Sequence, residues 1–462
     1  MLKPNILIII IDGFRADKCH GPNKTSITPN LDSLISNGVY FNQAVSSSDG
    51  TRTCVGSIFT ADYPFKSGLN TFYNHKKSTR YFDHLKKQGY SLFATAPDVD
   101  LWQTLTKNFD GTDLITKRLW PLQPYEYLFG GTGKKILKRL EHISKFQPWI
   151  YYVHIMDLHK GVDFPLHFEK AAENFKNEKF GTNDYEKMVS GIDYWIGEIL
   201  KKIDLAKTLV IITSDHGDFI PISSIDHELT YIPSLVKVGQ KIKKSTPKSF
   251  HPLGESTFVK IRDFIVPIRK SLLKTKLSEE DMRTLNVRGS KISWELYDEV
   301  VLTPLLFSGY GIKSSRVINQ QVRQIDIFPT IVSITGLPEI KEQVEGKSLL
   351  PAINNEKMNE EPALIENQVL DPHDDNIVIG IRTAKYKYFR DRSGKNNKTR
   401  LFDLENDPHE ANNIANEKPN LVEQMENLLV KHRKNEYNFE GYSDDEKMNL
   451  KIKDELKKMG YI

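Results

Sequence analysis

Thr208-Leu-Val-Ile-Ile-Thr-Ser-Asp215-His216-Gly217-Asp218 is the stretch whose reading decides the fold. Its β-branched run from Leu209 to Ile212 predicts a buried strand. The run breaks on Asp215 and His216, and Gly217 marks a turn. In open α/β sheets, ligands bind just beyond the carboxyl ends of strands. A carboxylate beside an imidazole at that point is a candidate metal-ligand pair. Mixed oxygen and nitrogen donors suit zinc or manganese better than calcium, which prefers oxygen alone. Taken by itself, the pair reads equally well as a strand-ending Asp that caps the next helix, beside a solvated His.

Outward from this stretch, other segments repeat the pattern. Ile6 to Ile11 is a nearly continuous β-branched run, as expected of a central parallel strand, and it too ends on an acid, Asp12, followed by Gly13. The run is short, follows Pro4 and has no small-residue cleavage site, so it reads as a strand rather than a signal peptide. It falls far below the roughly 20 residues of a membrane helix. Two buried strands ending in Asp at one sheet edge can share a cation. Trp149-Ile-Tyr-Tyr-Val-His154-Ile-Met-Asp157-Leu-His159 is a further strand, ending in a His/Asp/His cluster. Between Ser46 and Pro64, small and hydroxylated residues feed an apolar run from Val55 to Ala61. This reads as a loop entering a helix N-terminus, where free backbone N–H groups and the positive dipole end suit an oxyanion. A hydroxyl placed there can act as a nucleophile or simply cap the helix.

The remaining chain fills in an alternation of helices and strands. Thr28 to Gly38, Tyr81 to Gly89 and Tyr185 to Ile203 predict helices; Val39 to Val45, Tyr90 to Ala94 and Val300 to Phe307 predict strands; Val322 to Thr335 predicts a helix stopped by Gly336. The alternation predicts an α/β fold with a doubly wound, mainly parallel sheet. Beyond Glu360, short strands at Ala363–Glu366, Ile377–Thr383 and Lys385–Arg390 and the segment Leu401-Phe-Asp-Leu predict a small antiparallel sheet, followed by a helix from Asn420 to Arg433. The expected division is a catalytic domain over 1–360, with an insertion at about 221–290, and a small C-terminal α+β subdomain with a tail over 361–462. The insertion is rich in lysine (Lys237, Lys241, Lys243, Lys244, Lys248, Lys270, Lys274, Lys276), which fits a solvated excursion or a guide for an anionic substrate. Gly130-Gly-Thr-Gly133 before Lys134 and Lys135 lacks the spacing and the preceding strand of a phosphate loop and reads as a turn.

Composition bounds the function. A formal net charge of +4 over 462 residues gives no argument for nucleic-acid binding. Two cysteines, Cys19 and Cys54, exclude a disulfide framework and cannot alone build a thiolate zinc site. With no membrane span in the sequence, the expected localisation is cytoplasmic.

Together, in order, these segments resemble the sulfatase family of the alkaline phosphatase superfamily. The resemblance runs from Pro4-Asn-Ile…Asp12 through Thr28-Pro-Asn-Leu, Gly38-Val-Tyr-Phe-Asn and the Ser46–Pro64 loop. It continues with His154-Ile-Met-Asp-Leu-His159, Ser214-Asp-His-Gly217, Val300-Val-Leu-Thr-Pro-Leu and Ile325-Asp-Ile-Phe-Pro-Thr-Ile. It closes on Tyr386-Lys-Tyr, Leu401-Phe-Asp-Leu-Glu-Asn-Asp-Pro-His-Glu-Ala-Asn-Asn and Gly460-Tyr-Ile. Sulfatases carry Cys or Ser in a Cys-x-Pro-x-Arg signature that is oxidised to formylglycine. An ungapped match of Ser57-Ile-Phe-Thr-Ala-Asp-Tyr-Pro64 to the family places Thr51 at the nucleophile position, Cys54 where the family has Ser, and Val55 in place of the signature Arg. Oxidised threonine would be a ketone, so the resemblance implies that the formylglycine route is closed. Asp12-Gly13 and Asp215-His216 also depart from the family's paired acids and Asp-Asn. They are similar to threonine-nucleophile branches: nucleotide pyrophosphatase/phosphodiesterases, lipoteichoic-acid synthases and phosphoethanolamine transferases.

The resemblance implies a metal-dependent hydrolase or transferase of phosphate mono- or diesters. Asp12, Thr51, Asp215 and His216 are the expected ligands of one divalent ion, zinc or manganese first, calcium or magnesium as further candidates. Thr51 is the expected nucleophile. His159 matches the family's anion-binding His, and Lys291 its anion-binding Lys. Asp163 and His167 have the Asp-x-x-x-His spacing of a second metal site, which His227 could complete, but Pro165 favours a loop there, so one metal is expected rather than two. The expected partner is an anionic phosphate- or sulfate-ester, such as a glycan or lipid headgroup. Two alternatives stand beside this reading: a sulfuric ester hydrolase or promiscuous sulfate/phosphate esterase, and an inactive relative that binds an anion or glycan.

Overall fold

A computed structural model describes residues 3–68, 79–115, 127–159, 173–220, 283–284, 296–368, 377–394 and 399–434. Thirteen strands among them form two sheets. Their ranges are β1 (Asn5–Ile11), β2 (Val39–Val45), β3 (Ser91–Pro97), β4 (Gly111–Ile115), β5 (Trp149–Ile155), β6 (Thr208–Thr213), β7 (Leu302–Gly309), β8 (Arg316–Ile318), β9 (Val322–Arg323), β10 (Ala363–Glu366), β11 (Val378–Arg382), β12 (Tyr386–Asp391) and β13 (Arg400–Asp403). The large sheet runs β4-β3-β5-β1-β6-β7-β2-β8, with β9 also on β2. From β4 to β6 all neighbours are parallel; β7 is antiparallel to both β6 and β2. The expected mainly parallel α/β sheet is therefore present, with one reversed strand.

The two runs that pointed to the fold lie side by side at its centre. β1 pairs with β6 from Asn5↔Thr208 to Ile10↔Thr213. Every residue of β1 and β6 is buried, as a strand covered on both faces requires. Ile6, Ile8 and Ile10 pack into the main apolar core with Phe59, Phe82, Tyr152, Phe307 and Phe328. Leu7, Ile9 and Ile11 project to the opposite face and are fully buried as well. Because β7 reverses between β6 and β2, β2 again runs with β6, so the carboxyl ends of β1, β5, β6 and β2 share one edge.

The predicted helix over 322–335 divides instead into β9, a turn of 3-10 helix at Gln324–Asp326 and helix Ile327–Thr335. Sheet pairing of Val322 and Arg323 with Ala44 and Val45 takes the first residues. Asp326 then binds the Arg323 backbone N–H at 3.0 Å and its guanidinium at 2.7 Å, which starts the helix later. Likewise the strand predicted from Val300 begins at Leu302, after a helical turn Asp298–Val301. At Gly133 the Trp195 ring sits 2.4 Å from where a Cβ would lie, so this glycine serves close helix packing.

The smaller sheet is antiparallel in the order β10-β11-β12-β13, with helix Pro419–His432 beside it. Its strand β10 also reaches the loop after β2: Glu366 N–H donates to Ser47 O at 3.0 Å, and Gln368 N–H to Asp49 Oδ1 at 2.5 Å. A buried ion cluster adds to the join. Lys387 binds Asp298 at 2.7 Å and Glu410 at 2.6 Å, and Arg382 binds Asp298 at 2.8 Å. Residues 1–218 with 292–462 form one compact unit, and 219–291 form another. The charged tail and nearly all of the basic segment lie outside the described residues.

Gly217 closes the turn after β6 against backbone: a Cβ there would lie 2.1 Å from the Glu299 carbonyl oxygen. Gly217→Ala is expected to destabilise the protein by about 1–3 kcal/mol, as overpacking does. Thermal melting would check this; an unchanged midpoint would mean that the turn moves freely.

Candidate metal centre and nucleophile

Four strand ends supply the site. Asp12 follows β1, Asp215 and His216 follow β6, His159 follows β5, and the loop after β2 leads into helix Thr51–Thr60. Gly50 occupies the N-cap in an extended conformation, which makes Thr51 the first helical residue. All five side chains are buried, from 0% exposed for Thr51 and Asp215 to 6% for His216. Asp12, Asp215 and His216 present ligand atoms that all lie within 4.8 Å of one another. Thr51 Oγ1 lies 2.9 Å from Asp12 Oδ2 and 3.3 Å from His216 Nε2. His159 Nδ1 lies 2.8 Å from Asp12 Oδ1. Thus Asp12, Thr51, Asp215, His216 and His159 come together. Lys291, Asp163, His167 and His227 lie outside the described residues.

Hydrogen-bond partners fix the positions of the imidazole protons. His216 Nδ1 lies 2.7 Å from the Gly217 carbonyl, which can only accept, so Nδ1 carries the hydrogen. Nε2 then turns a lone pair toward Thr51 and the carboxylates. His159 Nδ1 faces a carboxylate and likewise holds its proton there. Burial pushes the Asp12 carboxyl up. Against burial, His159 above all, with the imidazoles of His154 and His216 beside it, holds it well below the ordinary range. Asp12 is therefore ionised.

Asp215 supplies the test of metal fit. Its Oδ1 accepts from Gly13 N–H at 3.2 Å and His216 N–H at 2.9 Å. Its Oδ2 is buried with no hydrogen-bond partner. A buried carboxylate oxygen without a donor, beside a second carboxylate and an imidazole lone pair, fits a divalent cation. Two oxygens and one nitrogen match zinc or manganese chemistry.

Other residues escaped the sequence reading. Ser214 Oγ lies 2.6 Å from Ile11 O, 2.5 Å from His216 O and 2.9 Å from Phe14 N, so it ties the ends of β1 and β6 together. Tyr185 OH donates to Gly13 O at 2.8 Å and accepts from Arg15 N–H at 3.0 Å, anchoring the same turn from the long helix Asp184–Leu200. Neither had a signal beyond its place in a motif or an apolar stripe. Cys54 donates to Ser48 O at 3.0 Å, and burial pushes its thiol well above the usual value. Val55 is buried in the main core. The arginine near the helix start is Arg52, whose guanidinium lies 3.8 Å from Asp100.

Comparison with known proteins follows the same outline. The sulfatase family model matches residues 4–337, and the N-sulphoglucosamine sulphohydrolase C-terminal model matches residues 294–435. Arylsulfatase K of Mus musculus is 23% identical over 358 residues, covering 75% of this chain and 57% of its own length. Arylsulfatase K of Bos taurus is 24% identical over 302 residues, covering 63% and 52%. The chain thus spans about half the length of the curated relatives it matches. Among solved structures, Ps i-CgsB in complex with k-i-k-neocarrahexaose has a TM-score of 0.63 at 16% identity, covering 99% of each chain. A 2-O GAG sulfatase has a TM-score of 0.60 at 17% identity, covering 93% of this chain and 92% of its own. A phosphonate monoester hydrolase from Silicibacter pomeroyi also has a TM-score of 0.60 at 17% identity, covering 93% and 95%. These structural likenesses show the fold.

Two outcomes test the electrostatics. Manganese or zinc at 100 times its Kd is expected to stabilise the protein by about 2.7 kcal/mol, read as a raised melting midpoint that Asp215→Asn abolishes. An equal shift in the variant would place the ion elsewhere. Separately, burial pushes the Asp157 carboxyl up to about 7, against one backbone N–H from Leu128 that lowers it. Between the ordinary carboxylate value and about 7 the folded state binds the extra proton, so this group's contribution to stability falls as pH rises through that window. Melting from pH 4.5 to 8 should show a smaller decline for Asp157→Asn; an identical decline would refute the assignment.

Proposed function

The chain belongs to the sulfatase family, and from that premise we propose that it is a metal-dependent ester hydrolase acting on sulfuric esters through an unmodified Thr51. One observation carries the reading. A threonine hydroxyl at a helix N-terminus sits 2.9 Å from Asp12 and 3.3 Å from His216, within a buried Asp/Asp/His donor set. The arylsulfatase relatives favour sulfuric esters, the alternative reading of the sequence, over phosphate esters. Sulfated glycans are the proposed substrate class, supported by the 2-O GAG sulfatase among the similar structures.

Asp12, Asp215 and His216 would hold the cation. When bound, a divalent cation lowers the pKa of a coordinated hydroxyl and polarises a non-bridging ester oxygen. Asp12 Oδ2 accepts the Thr51 hydroxyl hydrogen and orients the oxygen for attack. The first backbone N–H groups of helix Thr51–Thr60 face the developing negative charge. With Nδ1 held by Asp12, His159 carries a second proton at Nε2 and passes it to the leaving alcohol oxygen. Thr51 Oγ1 bonds to sulfur as the S–O bond to the leaving alcohol breaks and the Thr51 proton passes to solvent; water then attacks the threonine sulfate, gives its proton to the now neutral His159 Nε2, and sulfate leaves as Thr51 takes a proton back.

A second reading, hydrolysis of phosphate or phosphonate monoesters, is favoured by the threonine itself and by the phosphonate monoester hydrolase among the similar structures. Turnover of p-nitrophenyl sulfate, p-nitrophenyl phosphate and p-nitrophenyl phenylphosphonate with added manganese separates the two. Thr51→Ala is expected to lower kcat at least about a thousandfold, as loss of a nucleophile does, while Thr51→Ser retains most activity. Turnover of only the phosphorus esters would overturn the sulfate assignment; unchanged turnover by Thr51→Ala would overturn the nucleophile.

A further inference from the structure

His154 is fully buried in β5 and lies against the site from the core side of the sheet. Its Nε2 is 3.7 Å from Asp12 Oδ2 and has no hydrogen-bond partner. By residue type and distance it looks like one more cation ligand. The hydrogen bonds around it exclude that role.

Trp102 Nε1 lies 3.1 Å from the Tyr152 hydroxyl, and that hydroxyl lies 2.7 Å from His154 Nδ1. An indole N–H can only donate, so Tyr152 accepts from Trp102. Burial pushes the Tyr152 phenol well above its ordinary value, and it keeps its proton. That proton needs an acceptor, and His154 Nδ1 is the one in reach. If Nδ1 carried a hydrogen, the Tyr152 proton would be a buried donor with no acceptor, which folded proteins avoid. His154 therefore carries its hydrogen on Nε2. A protonated ring nitrogen has no lone pair for a metal. At 3.7 Å the N–H is too distant for a proper hydrogen bond, but its dipole acts on the Asp12 charge.

We propose that Trp102 and Tyr152 lock His154 as the Nε2–H tautomer, which bars it from the cation and makes it a positioning residue for the Asp12 carboxylate. His159 N–H faces Asp12 Oδ1 and His154 N–H faces Oδ2, so the two imidazoles fix the carboxylate from either oxygen. Asp12 then keeps Oδ2 turned toward Thr51. The inference rests on the reading of Asp12 as a ligand in the proposed function. Groups that orient a metal ligand typically cost about 10–100-fold in metal affinity when lost.

The test begins with the wild-type protein. Nitrogen-15 NMR of histidine-labelled, metal-free protein is expected to show His154 as Nε2–H; an Nδ1–H pattern overturns the lock. Calorimetric titration with manganese then compares variants. Glutamine sets an amide N–H where Nε2 lies, whereas asparagine reaches only the Nδ1 position. His154→Gln is expected to bind manganese within about threefold of wild type, and His154→Asn about 10–100-fold more weakly. Equal affinity in His154→Asn overturns the positioning role. Electron spin-echo spectroscopy of the manganese protein is expected to report one imidazole nitrogen in both wild type and His154→Gln; two in wild type would make His154 a ligand and sink the proposal. Wild type that binds no manganese removes the cation reading of the proposed function, while the NMR pattern still decides the tautomer by itself.

Discussion

Two carboxyl groups buried in one cluster are the constraint around which this protein is arranged. Asp12 and Asp215 lie with His216 at the shared edge of β1 and β6, almost wholly out of water. Charges buried in this way cost several kcal/mol each unless donors or a counter-ion answer them. Asp12 is answered by Thr51 and His159, with His154 close by. Asp215 Oδ1 is answered by two backbone N–H groups. Asp215 Oδ2 is left without a donor. That unevenness is what a cation would relieve.

The scaffold that tolerates this cluster is rigid for identifiable reasons. β1, β5 and β6 are adjacent and parallel, so their carboxyl ends lie level. Ser214 and Tyr185 then stitch the turns beyond them. The loop carrying Thr51 comes from farther along the sheet, and here the small antiparallel sheet contributes. Its β10 pairs through Glu366 with Ser47, and Gln368 holds Asp49 just before Thr51. The small sheet therefore supports the loop that leads into Thr51 as well as packing its own core of Leu364, Ile381, Tyr388 and Leu401.

The departures from the sulfatase signature are coherent in three dimensions. Val55 takes the signature Arg position and packs in the core, while Cys54 is spent on a bond to Ser48 O. Val55 supplies no guanidinium donor there. Thr51 is the residue at the helix start whose hydroxyl meets Asp12 and His216.

Continuous β-branched runs at Ile6–Ile11 and Leu209–Ile212 were enough to identify the central strands, because a strand buried on both faces has no polar alternation to blur it. Their terminal acids, and the hydroxyl at the loop-to-helix entry, could likewise be picked out along the chain. The split of residues 322–335 into strand, turn and helix could not, since pairing with β2 and the local Asp326–Arg323 bond outweigh helical periodicity. Nor could the tautomers of His154 and His216, the roles of Ser214 and Tyr185, or the partnerless oxygen of Asp215. Each depends on which atoms from segments up to about two hundred residues apart stand within hydrogen-bonding reach, and one-dimensional spacing carries no such distances. Residue chemistry named the candidates; only tertiary packing decided which lone pairs and protons face one another.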